Sequence, residues 1–267
     1  MQTIYCIAEF SRTVLNGAFT LRRVPATDQA RRTFGNLPNA VAYLMLLAWP
    51  VVSLILFRRL PLERAILWCI VAGYLLLPPL AKFDLPLVPD MDKFAISSIV
   101  AFGLCIYYVG KPVPLLPRHP AAQVLVVLFV FSVVPTVLTN GEPMLFHQIA
   151  NAEPIQILSH QVPGLRWRDL GSVVINQMIV LMPFLLGRRY LSTPQAQRYL
   201  LLALMIGALA YSILALIEVR FSPQMNVWVY GFFQHDFRQM IRNGGYRPIV
   251  FLPHALWLAF FMVSALM

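Results

Sequence analysis

Arginine and histidine side chains are concentrated between two hydrophobic segments of this chain, over residues 218–254. Arg238 and Arg242 have i, i+4 spacing, so they would share one face of a helix, and His235 precedes them by about one turn. A planar guanidinium group presents paired N–H donors to phosphate oxygens, and several together suit a diphosphate. Imidazole exchanges protons near neutral pH, so a neighbouring histidine is a candidate general base. The pattern indicates a site for an anionic, phosphorylated ligand.

The candidate side chains fall into two groups. The predicted diphosphate-binding residues are Arg220, Arg238, Arg242 and Arg247. The predicted catalytic bases are His235 and His254. A plainer interpretation stays open for both groups: the arginines bind lipid headgroups or pair with Glu218 and Asp236, and the histidines only make hydrogen bonds at the membrane interface.

One amphipathic helix is expected to position these side chains. Ser222 followed by Pro223 is typical of a helix start, and Asn243-Gly244-Gly245 is typical of a helix end. A helical projection separates the polar side chains from the apolar ones, which predicts a helix lying in the membrane plane. The polar face contains Trp228, Gly231, His235, Arg238, Gln239 and Arg242, and the apolar face contains Val229, Tyr230, Phe233, Phe237, Met240 and Ile241.

Composition places this loop on a membrane protein. Of the 267 residues, 59% are hydrophobic and only 12% are charged, against about 25% charged in an ordinary globular domain. So few charges exclude a soluble enzyme, a disordered chain and a secreted disulfide scaffold. The formal charge of +10 is then explained by loop charges and an anionic ligand, and no nucleic-acid partner is expected.

Seven apolar segments are long enough to suggest a polytopic, all-α transmembrane bundle, because backbone in hydrocarbon must satisfy its own hydrogen bonds. The predicted spans are residues 39–57, 65–81, 94–109, 121–138, 172–187, 199–217 and 250–267.

The loops at residues 58–64, 110–120 and 188–198 carry eight Lys or Arg and one acid. The bias of Lys and Arg toward cytoplasmic loops predicts that these three face the cytoplasm. Residues 218–249 would then face the opposite side, the periplasm of a bacterium.

Both ends of the chain depart from this pattern. Residues 1–37 carry five arginines without an apolar segment, so we expect a loosely attached N-terminal extension before a transmembrane domain over residues 38–267. The last segment stops at Met267 without interfacial anchors, which predicts that the chain is the N-terminal part of a longer protein. No metal site or cofactor is expected, since His147 and His160 lack the spacing of a metal-binding pair.

Three stretches of the arginine-rich loop resemble the O-antigen ligase and polymerase superfamily, and most closely an exopolysaccharide-polymerase-like branch. They are Ile217–Pro223, Phe232–Arg238 and Gly244–His254. Arg247 matches the arginine that opens a family motif, and Phe251 and Pro253 approximate the residues that follow. Val250 stands where glycine is usual, and His254 lies near the usual asparagine.

The resemblance implies a metal-independent, inverting glycosyltransferase of the bacterial inner membrane. Its donor would be a glycan on undecaprenyl diphosphate, met in the lipid bilayer at the periplasmic face, with arginines stabilising the leaving diphosphate. Two alternatives stay open: a lipid or saccharide transporter (a flippase), and an inactive truncated membrane subunit.

Overall fold

The computed structural model describes residues 37–84, 89–145, 161–162, 164–235, 237–242 and 244–266. All of the predicted extension except Leu37 lies outside these residues, as do His147 and His160. The described part of the chain is mostly helical, as the sequence predicts.

The described elements are helices joined by short irregular segments, with four two-residue strands. The helices are α1 (Ala40–Arg59), α2 (Leu62–Leu76), α3 (Lys93–Val109), α4 (Pro120–Phe131), α5 (Val133–Thr139), α6 (Trp167–Tyr190), α7 (Pro194–Phe221), α8 (Met225–Tyr230) and α9 (Ala255–Leu266). A 3₁₀ turn spans Phe237–Met240. Strand β1 (Met144–Leu145) pairs antiparallel with β2 (Gln161–Val162), and β3 (Ile241–Arg242) pairs antiparallel with β4 (Gly245–Tyr246).

Within the described residues, four helical stretches are long and apolar enough to cross a membrane. They are Ala40–Arg59, Pro120–Thr139, Asp169–Tyr190 and Pro194–Phe221. The other predicted spans form shorter helices: α2 has 15 residues, α3 has 17 and α9 has 12. At 1.5 Å per residue, α2 is about 22 Å long, less than the hydrocarbon thickness of about 30 Å. A membrane protein is therefore supported, while only four of the seven predicted spans reach crossing length.

The chain divides into two compact units. Among the described residues, the smaller unit contains α4, α5, β1, β2 and α6 as far as Met178. The larger unit contains α1, α2, α3, the remainder of α6, α7, α8, β3, β4 and α9. The candidate site residues all belong to the larger unit.

Helix α2 lies at the centre of the larger unit, where it packs against α1, α3 and α7. Helix α9 packs against α7, and the short α8 packs against α1. Side chains start these helices locally: Asn39 caps α1, Asp92 caps α3 and Thr193 caps α7, each accepting a bond from a first-turn N–H. Buried apolar side chains fill the space between the helices, among them Leu46, Trp49, Leu75, Leu77, Tyr211, Phe251, Leu258 and Phe261.

Contacts between helix ends define two opposite ends of the larger unit. The Phe57 and Tyr108 rings lie 5.9 Å apart, and the Arg64 guanidinium lies 4.1 Å from the Tyr199 ring centroid. The C-terminal ends of α1 and α3 therefore lie beside the N-terminal ends of α2 and α7. We call this the basic end, and its cations are Arg58, Arg59, Arg64, Lys111, Arg188, Arg189 and Arg198. The opposite end, which carries residues 218–254, is called the loop end.

Candidate functional site

The predicted amphipathic helix of the loop end is not continuous, and this expectation was wrong. Helix α8 has six residues and ends at Gly231, whose φ is +80°. Asn39 explains the ending, because its side-chain amide donates to Val229 O at 3.0 Å and its backbone N–H donates to Tyr230 O at 2.9 Å. In a longer helix these carbonyls would accept bonds from residues four positions later.

The C-terminal half of the predicted helix forms a 3₁₀ turn and a hairpin instead. Arg242 pairs with Gly245 in this hairpin, and Gly244, directly before Gly245, has a φ of +75°. An Asn-Gly pair is the strongest short-range sequence signal for a two-residue hairpin. The prediction that a helix ends at Asn243-Gly244-Gly245 was therefore wrong, since the hairpin already begins at Ile241.

Glu218 anchors the loop end to α7. Its carboxylate is 2% exposed and accepts three backbone N–H groups: Oε1 from Met225 at 3.0 Å, and Oε2 from Ile249 and Val250 at 2.8 Å each. Charge-assisted bonds of this kind are among the stronger ones in proteins. Glu218 therefore fixes the chain both directly after α7 and about thirty residues later.

Two further buried side chains hold residues 249–252, the segment between the hairpin and α9. The Gln234 amide donates to Val250 O at 2.9 Å and to Leu252 O at 3.1 Å. The Lys93 ammonium, which is fully buried, donates to Phe251 O at 3.0 Å. With Glu218, these side chains satisfy backbone groups that belong to no helix or strand, which a buried segment requires. The segment is thereby fixed in place, although Val250 has a φ of +57°.

Lys93 also ties this segment to the C-terminal end of α2, where two tyrosine hydroxyls bond as well. Lys93 also donates to Tyr74 O at 2.9 Å, while the hydroxyls of Tyr211 and Tyr230 donate to Leu75 O and Leu76 O. The last carbonyls of a helix have no partner within it, and here three buried side chains supply the donors. Burial raises the pKa of Tyr230 to about 12, so this hydroxyl keeps the proton that it donates.

Asp92, the neighbour of Lys93 in the chain, is a further polar side chain of this region. Burial raises the pKa of its carboxyl, while hydrogen bonds from the N–H groups of Ala95 and Phe94 and the charge of Lys93 oppose that rise. The carboxylate thereby starts α3, which carries the Lys93 ammonium at its first residue.

The two predicted bases lie side by side. The ring centroids of His235 and His254 are 4.6 Å apart, with 51° between the ring planes, and both side chains are half-buried. His254 Nδ1 accepts a hydrogen bond from Leu256 N–H at 3.0 Å, which caps the start of α9. In the neutral ring, an accepting Nδ1 leaves the proton on Nε2. His254 therefore caps the start of α9 through Nδ1, and the second candidate base, His235, lies beside its ring.

The predicted arginines occupy different elements of the loop end. Arg220 is exposed in the last turn of α7, with its guanidinium 5.7 Å from the Phe221 ring centroid. Arg247 is half-buried, and its backbone N–H donates to Met240 O at 2.9 Å. Arg238 lies in the 3₁₀ turn and Arg242 in β3; the side chains of these two lie outside the described part.

The sequence analysis missed the residues that build this site. Glu218 was expected only as a partner of the loop arginines, and no role was predicted for Lys93, Gln234 or Asn39. A charged residue at the start of a short apolar segment, as Lys93 is, was a usable signal, because a cation in apolar surroundings needs acceptors. Gln234 and Asn39 gave no comparable signal, since their partners are backbone groups distant in sequence.

Comparisons with protein-family models, with curated proteins and with solved structures find no match to this chain.

Proposed function

We propose that this protein is a membrane-embedded, metal-independent, inverting glycosyltransferase that transfers or polymerises undecaprenyl-diphosphate-linked glycans at the periplasmic face of a bacterial inner membrane. The resemblance of residues 217–254 to the O-antigen ligase and polymerase superfamily supports the reaction class. The four crossing-length helices support a membrane-embedded site. A polyprenyl donor must be met at the depth of the headgroups, where helix ends lie.

One observation carries the proposal. Residues 249–252 are fixed by Glu218, Gln234 and Lys93, and one proline separates this fixed segment from Arg247 before it and another from His254 after it. Transition-state stabilisation needs charges that are oriented before the reaction. A segment held through buried hydrogen bonds can provide this orientation, which a solvent-exposed loop would lack.

The proposed step is a displacement at the anomeric carbon of the donor. The acceptor hydroxyl oxygen forms a bond to that carbon from the face opposite the diphosphate, and the carbon–oxygen bond to the diphosphate breaks. The electron pair and the charge go to the diphosphate, next to Arg247 and Arg220. The hydroxyl proton goes to His235, while His254 positions its ring.

The test is a reconstituted transfer reaction. The full chain in lipid nanodiscs is given an undecaprenyl-diphosphate-linked oligosaccharide, and the release of undecaprenyl diphosphate and the glycan length are measured. Arg247→Gln is expected to lower the rate about 100-fold, as for removal of one stabilising donor. Arg58→Gln, a matched loss of an exposed arginine at the basic end, is expected to leave the rate unchanged.

Two results would contradict the proposal. One is a rate for Arg247→Gln equal to that of Arg58→Gln. The other is movement of the intact donor across proteoliposome membranes without glycan elongation, which would indicate the transporter alternative.

A further inference from the structure

An apolar surface lies on the hairpin of the loop end and on the 3₁₀ turn before it. The Phe237 ring centroid is 5.6 Å from that of Phe233 and 6.3 Å from that of Tyr246. Ile241 is the strand partner of Tyr246, so these two side chains lie on the same face of the hairpin. Phe237 is 39% exposed, Tyr246 38% and Ile241 51%. We call these four residues the aromatic patch, which ring contacts and strand pairing make one continuous surface.

The long helix α7 sets the depth of this patch in a membrane. Arg198 and Arg220 are both exposed and stand 22 positions apart, which corresponds to about 33 Å of helix. The one charged residue between them is Glu218, which is buried. The exposed surface of α7 is therefore uncharged over a length close to the hydrocarbon thickness of about 30 Å. The two arginines fit the two headgroup layers of one bilayer, and the loop end belongs to the layer of Arg220.

Contacts hold the hairpin at this level. Strand β4 packs against α7, and Glu218, in the last turn of α7, accepts the N–H of Ile249, three residues after Tyr246. At the end of α7, Phe221 is 67% exposed, and the Arg220 guanidinium lies 5.7 Å from its ring centroid. Exposed aromatic rings and a cation at one level are typical of the boundary between hydrocarbon and headgroups.

We propose that the aromatic patch lies in the headgroup layer of the membrane that α7 crosses, with Ile241 and Phe237 against the upper acyl carbons. Aromatic and aliphatic side chains at this depth are stabilised by the interface, whereas water would leave them solvated. A deeper position is excluded, because a two-stranded hairpin has unpaired backbone groups along its outer edges that hydrocarbon cannot satisfy. This placement depends on the long apolar helices and not on the reaction proposed above.

Fluorescence quenching by spin-labelled lipids tests this depth. The full chain is prepared in nanodiscs with Cys6→Ser, and Ile241→Cys carries a small uncharged fluorophore; the native Cys69 and Cys105 are buried. We expect a lipid with its spin label near the headgroup to quench this fluorophore more strongly than aqueous iodide does. Leu209→Cys, at an exposed position midway between the two arginines of α7, is expected to be quenched most by a lipid labelled deep in the acyl chain.

A matched control lies in the same 3₁₀ turn. Gln239 is an exposed polar residue there, so Gln239→Cys places the same fluorophore close to the patch but outside it. Iodide is expected to quench the Gln239 fluorophore more strongly than the Ile241 fluorophore. Phe237→Cys serves as a second reporter on the patch, should Ile241→Cys fail to fold.

Three results would overturn the proposal. Equal quenching of the Ile241 and Gln239 fluorophores by iodide would place the patch in water. A quenching profile at Ile241 equal to that at Leu209 would place the hairpin deep in the hydrocarbon. Protection of the Ile241 fluorophore from iodide and from every spin-labelled lipid would assign the patch to a contact with another protein chain.

Discussion

The two ends of the larger unit use charged residues in opposite ways. At the basic end, Arg58, Arg59 and Arg198 are exposed, and the helices end locally, for example at Gly110 with a φ of +65°. At the loop end, Lys93 and Glu218 are buried and bond to backbone groups distant in sequence. The comparison separates two roles of charge: exposed cations are left to interact with the surroundings, while buried charges supply the hydrogen-bond partners that secondary structure does not.

The two ends differ in where their backbone N–H and C=O groups find hydrogen-bond partners. A helix that ends in a tight turn satisfies its last groups nearby, so surrounding charges remain free to interact with the medium. Residues 247–254 form no helix and no strand beyond β4, yet Ile249, Val250 and Leu252 are fully buried. Their N–H and C=O groups need side-chain partners, and a charged side chain is a strong one.

Glu218→Ala is expected to have the largest effect on stability. Three backbone N–H groups would lose their acceptor, and each unsatisfied buried donor costs about 1–3 kcal/mol. We expect the free energy of unfolding to fall by at least about 3 kcal/mol, with faster hydrogen exchange at Ile249 and Val250. Glu63→Ala at the basic end is the control, and an equal loss in both variants would contradict the contrast between the ends.

Lys93→Met is expected to have a smaller effect, of about 2 kcal/mol. The carbonyls of Tyr74 and Phe251 would lose a donor, but the variant also removes the cost of burying an ammonium group. Unfolding of the protein in detergent, followed by tryptophan fluorescence, measures the change. Lys111→Met, at an exposed lysine, is the control, and its free energy of unfolding is expected to stay within about 0.5 kcal/mol of that of the unmodified chain. A change for Lys93→Met within the same margin would show that Lys93 does not stabilise the fold.

Gly231→Ala tests the contact that ends α8. A Cβ at Gly231 would lie 3.1 Å from Asn39 Cβ, whereas Gly244, which also has a positive φ, has open space there. Backbone strain alone costs about 1–2 kcal/mol, so Gly244→Ala should lose about 1 kcal/mol and Gly231→Ala about 2. Equal thermal shifts for the two variants would show that the Asn39 contact contributes nothing.

Arg59→Gln is expected to have the smallest effect. An exposed arginine far from the fixed segment contributes within about 0.5 kcal/mol to the free energy of unfolding. Chemical unfolding at low and high salt measures it, and a loss comparable to that of Lys93→Met would mean that the basic end also depends on charge for its stability.

Sequence reasoning was strongest for features set by local pattern. Each of the seven predicted apolar segments overlaps at least one described helix, because apolar runs and their polar interruptions are properties of neighbouring residues. It was weakest at the last segment, predicted from residue 250, where α9 begins only at Ala255. The side chains of Glu218, Gln234 and Lys93 hold the residues before α9 out of the helix, and no local pattern contains that information.

The same distinction between local pattern and long-range contacts applies to the candidate site. The sequence alone predicted His235, His254 and the loop arginines as candidates for a phosphorylated ligand, since residue type limits the chemistry that a side chain can do. Only the tertiary structure placed the two imidazole rings together and ended α8 early. The bond from Asn39 to Val229 O joins residues 190 positions apart. Composition and periodicity thus determined where the apolar helices lie, whereas hydrogen bonds between residues distant in sequence decided the shape of the segment between α7 and α9.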